Sequence, residues 1–340
     1  MNAHSSHGAQ AAAQPDAALV DGVLQGQRRA LAKSITLVES SRDDHRQQAQ
    51  ALLAALLPHT GGSLRLGISG VPGVGKSTFI EALGLYLIEQ HHKRVAVLAV
   101  DPSSSVSGGS ILGDKTRMEL LSQQTAAFIR PSPSAGSLGG VAEKTRESML
   151  LCEAAGFDVL IIETVGVGQS ETAVASMTDM FCLLQLPNAG DDLQGIKKGI
   201  MELADMVVVN KADTDRIATA RACAQIKTAL HMLRPASPNW TVPVLKLSAL
   251  KKDGIEQFWQ SVQSFYDTMH ASGELQERRH RQARAWMWEL VDSGLRQRFR
   301  AHPRVQALLT RSEHDVAAGR LPPALAARQL LDALDSPPTG

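Results

Sequence analysis

Eight consecutive residues constrain this chain more than any others. Gly70-Val71-Pro72-Gly73-Val74-Gly75-Lys76-Ser77 spells G-x-x-x-x-G-K-S, with the apolar run Leu64–Ser69 ahead of it and the amphipathic stretch Thr78–Glu89 behind it. Strand, glycine loop and helix in that order make a cradle for phosphate. The glycines let backbone N–H groups turn inward without Cβ clashes. The helix start adds the positive end of its dipole. The Lys76 ammonium reaches the β and γ phosphates, and the Ser77 hydroxyl ligates Mg2+. Gly70, Val71, Pro72, Gly73, Val74, Gly75, Lys76, Ser77 and Thr78 are therefore expected to hold the phosphates of a nucleotide.

Such a loop belongs at the edge of a parallel sheet, and the chain supplies one. From Leu64 to about Tyr266, short apolar runs alternate with helical stretches. The candidate strands are Leu64–Ser69, Val95–Val100, Ala126–Arg130, Val159–Thr164, Met180–Leu186, Met206–Asn210 and Val242–Ser248. Runs such as VAVLAV are apolar throughout, as burial on both faces requires. The expected class is α/β, with a mostly parallel central sheet whose ligands bind outside the carboxyl ends of the strands. Residues 1–18 read as a disordered tail and 19–60 as a helical extension, with two helices between Asp21 and Leu57. Residues 61–268 read as the nucleotide-binding domain and 269–340 as a helical arm. In that arm an Arg-rich stretch is followed by a second helical stretch, Val305–Leu334.

Two short strings name the base and the metal. Asn210-Lys211-Ala212-Asp213 ends the strand MVVVN as N-K-x-D. The Asp213 carboxylate can accept from guanine N1–H and its 2-amino group, neither of which adenine offers in that geometry. The Lys211 stem can cover the base, and Asn210 can tie this loop to the phosphate loop. In Ser248-Ala249-Leu250 a backbone N–H, that of Ala249, is the expected donor to guanine O6. Val159–Ile162 runs into Glu163, an apolar strand ending in a metal-binding acid. Asp101, ending the second strand, either binds Mg2+ or positions the attacking water, and Asp114 is a second acid on a glycine-rich loop. The loop after Glu163 carries Gly166 and Gln169. A long polar loop, 186–199, carries Asp191, Gln194 and Lys197 as candidate reporters of nucleotide state.

Composition removes several other readings. Lys plus Arg is 35 against Asp plus Glu 34, which gives a net charge of +1 and argues against a nucleic-acid binder held by counterion release. Aromatics are 4%, too few for base-stacking platforms. Three cysteines far apart in sequence form no disulfide framework or metal motif. No apolar run is long enough to span a bilayer, and the first residues lack the segments of a signal peptide, so a cytoplasmic protein without membrane or nucleic-acid partners is expected.

The strings GVPGVGKST, VDPSSSVSGGSILGDKTRM, RPSPSAGSLGG, ETVGVGQSE, LPNAGDDLQGIKKGI, VVNKAD and SAL occur in this order. Together they resemble the methylmalonyl-CoA mutase-associated GTPase family, the G-protein chaperones of adenosylcobalamin-dependent acyl-CoA mutases, whose members were once named arginine or amino-acid transport kinases. The resemblance covers roughly Val20 to Phe299. It implies a P-loop GTPase domain with a helical C-terminal dimerisation arm. It also implies GTP hydrolysis with Mg2+ that the mutase accelerates, and gating of cobalamin loading. Motif positions carry over onto Lys76, Ser77, Asp101, Asp114, Glu163, Asn210, Lys211 and Asp213, and a third switch onto Asp191, Gln194 and Lys197. Val106, Asn188 and Asp192 depart from the family pattern, so a mutase for isobutyryl- or 2-hydroxyisobutyryl-CoA is a rival target. Other rivals are a nickel-insertion GTPase, although His4, His7, His91 and His92 pair with no cysteine at ligand spacing, and a P-loop small-molecule kinase.

Overall fold

The computed structural model describes residues 14–100, 118–131, 138–164, 170–187, 198–233 and 236–335. Two compact units divide the chain, the first running through Gln276 and the second starting at Glu277.

The first unit is built on seven strands: β1 Leu64–Gly70, β2 Val95–Val100, β3 Ala127–Arg130, β4 Val159–Thr164, β5 Met180–Gln185, β6 Met206–Val209 and β7 Val244–Lys246. Each expected strand is present, most of them trimmed or extended by one to four residues. All six pairings are parallel, in the order β3-β2-β4-β1-β5-β6-β7. The chain leaves β1 toward one side of the sheet and later returns to its other side. β1 therefore sits where the strand order reverses, the place at which a sheet of this kind opens a crevice.

Alternate strand residues feed two cores. On one face Leu66, Ile68, Val97, Ile161, Cys182 and Val208 pack with α4 (Lys76–His91), the short α5 (Glu119–Ser122) and α10 (Ile255–Ala271). Phe79 and Phe258 meet edge-on there, with centroids 4.9 Å apart. On the other face Leu98, Leu160, Ile162, Phe181, Leu183 and Val207 pack with α1 (Ala17–Leu24), α2 (Arg28–Glu39), α3 (Asp43–Leu56), α6 (Leu138–Ala154), α7 (Ser170–Ala175), α8 (Lys198–Leu203) and α9 (Arg216–His231).

The N-terminal extension corrects the sequence reading in two respects. It holds three helices where two were expected, and α1 begins at Ala17, inside the stretch expected to be disordered. The Asp16 side chain accepts from Leu19 N and caps α1. Gly26, at φ 67°, ends it, and Gln27 N reaches back to Gly22 O. Apolar spacing runs on across this break, which hides it in the sequence.

Three aspartates at the opposite edge of the sheet repeat one device. Asp158, Asp179 and Asp205 each stand one residue ahead of a strand, and each carboxylate accepts a backbone N–H from the strand alongside. The donors are Arg94 N at 2.7 Å, Arg65 N at 2.9 Å and Phe181 N at 2.9 Å. They satisfy amides at the strand starts and leave the carboxyl ends free for ligands.

The second unit continues α11 (Glu274–Ala301) into α12 (Pro303–Ala317) and α13 (Pro323–Asp335). The single stretch expected over Val305–Leu334 is broken where Gly319 takes φ 68° and Pro322 follows. Among the described residues no helix is long and apolar enough to cross a membrane.

Candidate nucleotide site

β1 delivers the chain to the sheet edge at Gly70. A Cβ there would lie 2.6 Å from the Leu184 carbonyl of β5, so only glycine lets the loop leave against its neighbour. Val74 is fully buried and pins the loop to the core, and its N–H donates to Val71 O at 3.2 Å. Gly75 turns at φ 92°, and a Cβ on it would meet Asn210 Nδ2 at 2.9 Å. α4 starts directly after Gly75 with no side-chain cap, which leaves its first N–H groups for a ligand. Lys76 is buried, and its ammonium donates to Gly70 O at 2.7 Å and Val71 O at 3.4 Å. The cation is thus held at the heart of the loop. Thr78 is exposed on the first turn of α4.

β4 brings its acid to the same point. Glu163 is level with Ile68 of β1 and Ala99 of β2, and Ser77 Oγ lies 3.4 Å from Glu163 Oε1. Two hard oxygen donors at that separation fit Mg2+, whose neighbouring octahedral ligand positions are about 3 Å apart and which takes few protein ligands beside phosphate and water. No group of three His, Cys, Asp or Glu side chains gathers among the described residues. Asp101, Asp114, Gly166, Gln169, Asp191, Gln194 and Lys197 lie outside the described residues.

Asn210 is the knot of the site. It is 1% exposed, and its Nδ2 donates to Val74 O of the phosphate loop at 2.8 Å. Its Oδ1 accepts from Lys211 N at 2.8 Å and from Ala249 N at 3.0 Å. Its own N–H donates to Gln185 O, at the exit of β5, at 2.9 Å. One side chain and one amide therefore join the phosphate loop, both base loops and the start of the 186–197 segment. Lys211 is exposed and takes φ 59°, which turns the chain so that Asp213 faces solvent. The Ser248 hydroxyl bonded to Asp213 holds its carboxyl below the usual carboxylate range, so the group stays charged. Leu250 is 74% exposed.

The Ala249 N–H, the expected donor to guanine O6, donates to Asn210 Oδ1 at 3.0 Å. The next amide along, that of Leu250, has no partner among the described residues. Two further features went unread in the sequence. Asp215 caps α9 by accepting from Ala218 N at 2.9 Å, which fixes where the base loop ends. Gln185 is 2% exposed, and its Oε1 has no hydrogen-bond partner among the described residues.

Comparison with known proteins agrees with this geometry. A family model described as "Methylmalonyl Co-A mutase-associated GTPase MeaB" matches residues 31–304. The chain is 56% identical over 311 residues to a putative GTPase of Caulobacter vibrioides, covering 92% of this chain and 95% of that one. It is 54% identical over 266 residues to GTPase ArgK of Escherichia coli, covering 77% and 80%. It is 48% identical over 329 residues to the mitochondrial methylmalonic aciduria type A homolog of Mus musculus, covering 94% and 79%. A crystal structure titled as a LAO/AO transport system kinase superposes with a TM-score of 0.75 at 40% identity, covering 94% of this chain and 97% of that one.

Proposed function

Since the chain belongs to the methylmalonyl Co-A mutase-associated GTPase (MeaB) family, we propose that the GTP it hydrolyses gates adenosylcobalamin delivery to, and protection of, an acyl-CoA mutase. The target is methylmalonyl-CoA mutase or a close relative acting on isobutyryl- or 2-hydroxyisobutyryl-CoA. One observation carries the reading. Asn210 ties the phosphate loop, the base loops and the exit of β5 into one hydrogen-bonded unit. Filling the nucleotide pocket therefore acts on the segment that follows Gln185, where Asp191, Gln194 and Lys197 are the residues that signal to the mutase.

The chemistry rests on positioning. Lys76 exchanges the Gly70 and Val71 carbonyls for phosphate oxygens, and the loop amides with the first turn of α4 stabilise charge on the transferring group. Ser77 and Glu163, with Asp101 or Asp114, would hold Mg2+, which when bound neutralises charge on the phosphate oxygens. Asp101 orients the water, and Gly166 and Gln169 belong to the loop drawn in by the terminal phosphate. Asp213 reads guanine N1–H and the 2-amino group, with Leu250 N–H placed to donate to O6 and Lys211 covering the ring. The helical C-terminal arm joins two copies, and the protein works in the cytoplasm.

The test is GTP turnover by the full chain, alone and with each candidate mutase. Acceleration by one mutase and not the others identifies the target. An unchanged rate with all of them removes the gating role.

A further inference from the structure

β1 and β4 leave the sheet side by side; on one face a hydrogen bond ties β4 to β1, and on the other a hydrogen bond ties β4 to the start of α4. Successive strand residues point to opposite faces. Glu163 points with Ile161 toward α4 and meets Ser77, while Thr164 points with Ile162 toward the opposite core. There the Thr164 hydroxyl bonds the Ser69 hydroxyl at 3.0 Å. Thr164 is 0% exposed and Ser69 is 1% exposed. The two residues come one step after Ile68–Glu163, the last pair of the β1–β4 ladder, so their hydroxyl bond lies just past its end. Ser69 immediately precedes the phosphate loop, and Thr164 immediately follows the acid.

We infer that the Ser69–Thr164 hydroxyl pair is a positioning device that sets Glu163 for the divalent cation accompanying the nucleotide. A buried hydroxyl pair costs desolvation that a valine and an alanine would avoid, so packing alone does not call for it. What it adds is direction. Thr164 is stiff at χ1, being β-branched. Bonding its hydroxyl to β1 fixes the rotation of the strand's last residue, and with it the direction of the carboxylate one residue earlier. On the other face Ser77 Oγ bonds Glu163 Oε1, and this is a bond that the cation must replace with its own ligand bonds. The hydroxyl pair thus keeps the acid in place at the moment its bond to Ser77 is given up.

The inference rests on guanine-nucleotide binding with Mg2+ at this site, and the test separates the two. Release of a fluorescent GDP from the full chain is followed as Mg2+ is titrated, for the native protein, Thr164→Val, Ser69→Ala and the double variant. GDP affinity in EDTA is expected to be unchanged, because the phosphate and base loops are intact. The Mg2+ concentration for half-maximal slowing of release should rise about five-fold in each single variant, the weight of one hydrogen bond. The double variant should rise no further, since one bond is lost in all three, and Thr164→Ser should restore the native value. Midpoints within two-fold of native, or single shifts that add in the double variant, overturn the inference and leave nucleotide binding standing. Native protein that binds no GDP in EDTA, or whose GDP release ignores Mg2+, overturns the reading it rests on. Should Thr164→Val fail to fold, Ser69→Ala and Thr164→Ser carry the same comparison.

Discussion

Asn210 offers the sharpest test of the site. Replacing it with alanine removes three side-chain hydrogen bonds, to Val74 O, Lys211 N and Ala249 N. Val74 is 0% exposed and Ala249 4%, so their backbone groups lose a partner where water has little access. At about 1 kcal/mol each, the three bonds are worth about 3 kcal/mol. In a unit of this size that lowers the melting temperature by roughly 6–12 °C. Whatever part falls on nucleotide binding weakens it at tenfold per 1.4 kcal/mol, up to roughly a hundredfold. Thermal melting with and without GDP, and GDP affinity by calorimetry, measure the two shares. Asn210→Asp sharpens the case. It keeps both accepting interactions but turns an oxygen toward the Val74 carbonyl, where a donor stood 2.8 Å away. That carboxyl is buried and faces an acceptor, so its folded-state pKa is raised above the unfolded value. The contribution of the protonated form is therefore fully present at low pH and is lost as pH rises through the folded pKa. Asn210→Asp should be less stable than Asn210→Ala at pH 7.5 and recover toward pH 5. An alanine variant that melts within 2 °C of native and binds GDP within three-fold would refute the knot.

Other outcomes follow from the same geometry. Lys76→Ala should cost about 10²–10³-fold in GTP turnover, as losing one donor to the transition state does, and single-turnover assays would show it; turnover within ten-fold of native removes Lys76 from its role. Asp213 must be charged to accept guanine, and the Ser248 hydroxyl keeps its pKa low. GDP affinity should thus stay level as pH falls from 7.5 to 5 and drop only at lower pH, with Ser248→Ala moving the drop upward; a native midpoint above pH 5 contradicts this. Gln185→Leu replaces a buried carboxamide whose oxygen lacks a partner among the described residues, while the backbone bond from Asn210 N survives. It should raise stability by about 1 kcal/mol, and a lower melting temperature would show that the carboxamide has work in the folded state. Burial pushes the Cys152 and Cys182 thiols well up, and raises Cys223 less, with Lys227 and Lys246 pulling it back. A thiol reagent at pH 8 should therefore reach Cys223 alone before unfolding; rapid reaction of all three would mean that the sheet opens readily.

How far the sequence could be read follows from where each feature stores its information. The strands were legible because a parallel sheet covered on both faces demands unbroken apolar runs, and VAVLAV and DVLII admit few other uses. The phosphate loop was legible for a similar reason. Its shape is a sequence of local backbone demands, and only glycine meets them at Gly70 and Gly75. The helix breaks at Gly26 and Gly319 were signalled only by a residue common elsewhere, within apolar spacing that runs on past them. The aspartates ahead of β4, β5 and β6 look like loop acids until the neighbouring strand is in place.

The base site divides along the same line. Asn210-Lys211-Ala212-Asp213 is contiguous, so its chemistry can be read from side chains alone. Which amide serves guanine O6 depends on a bond between Ala249 and Asn210, 39 residues apart. Ala249 N–H goes to holding the loops together, and the proposed donor to O6 is the Leu250 amide. Selectivity for guanine then depends on Asn210 at second hand: loosening it releases the Ala249 amide and shifts Leu250 with it. Loss of Asn210 should consequently weaken discrimination between guanine and hypoxanthine less than it weakens overall affinity, because Asp213, the proposed reader of the 2-amino group, is bonded by Ser248.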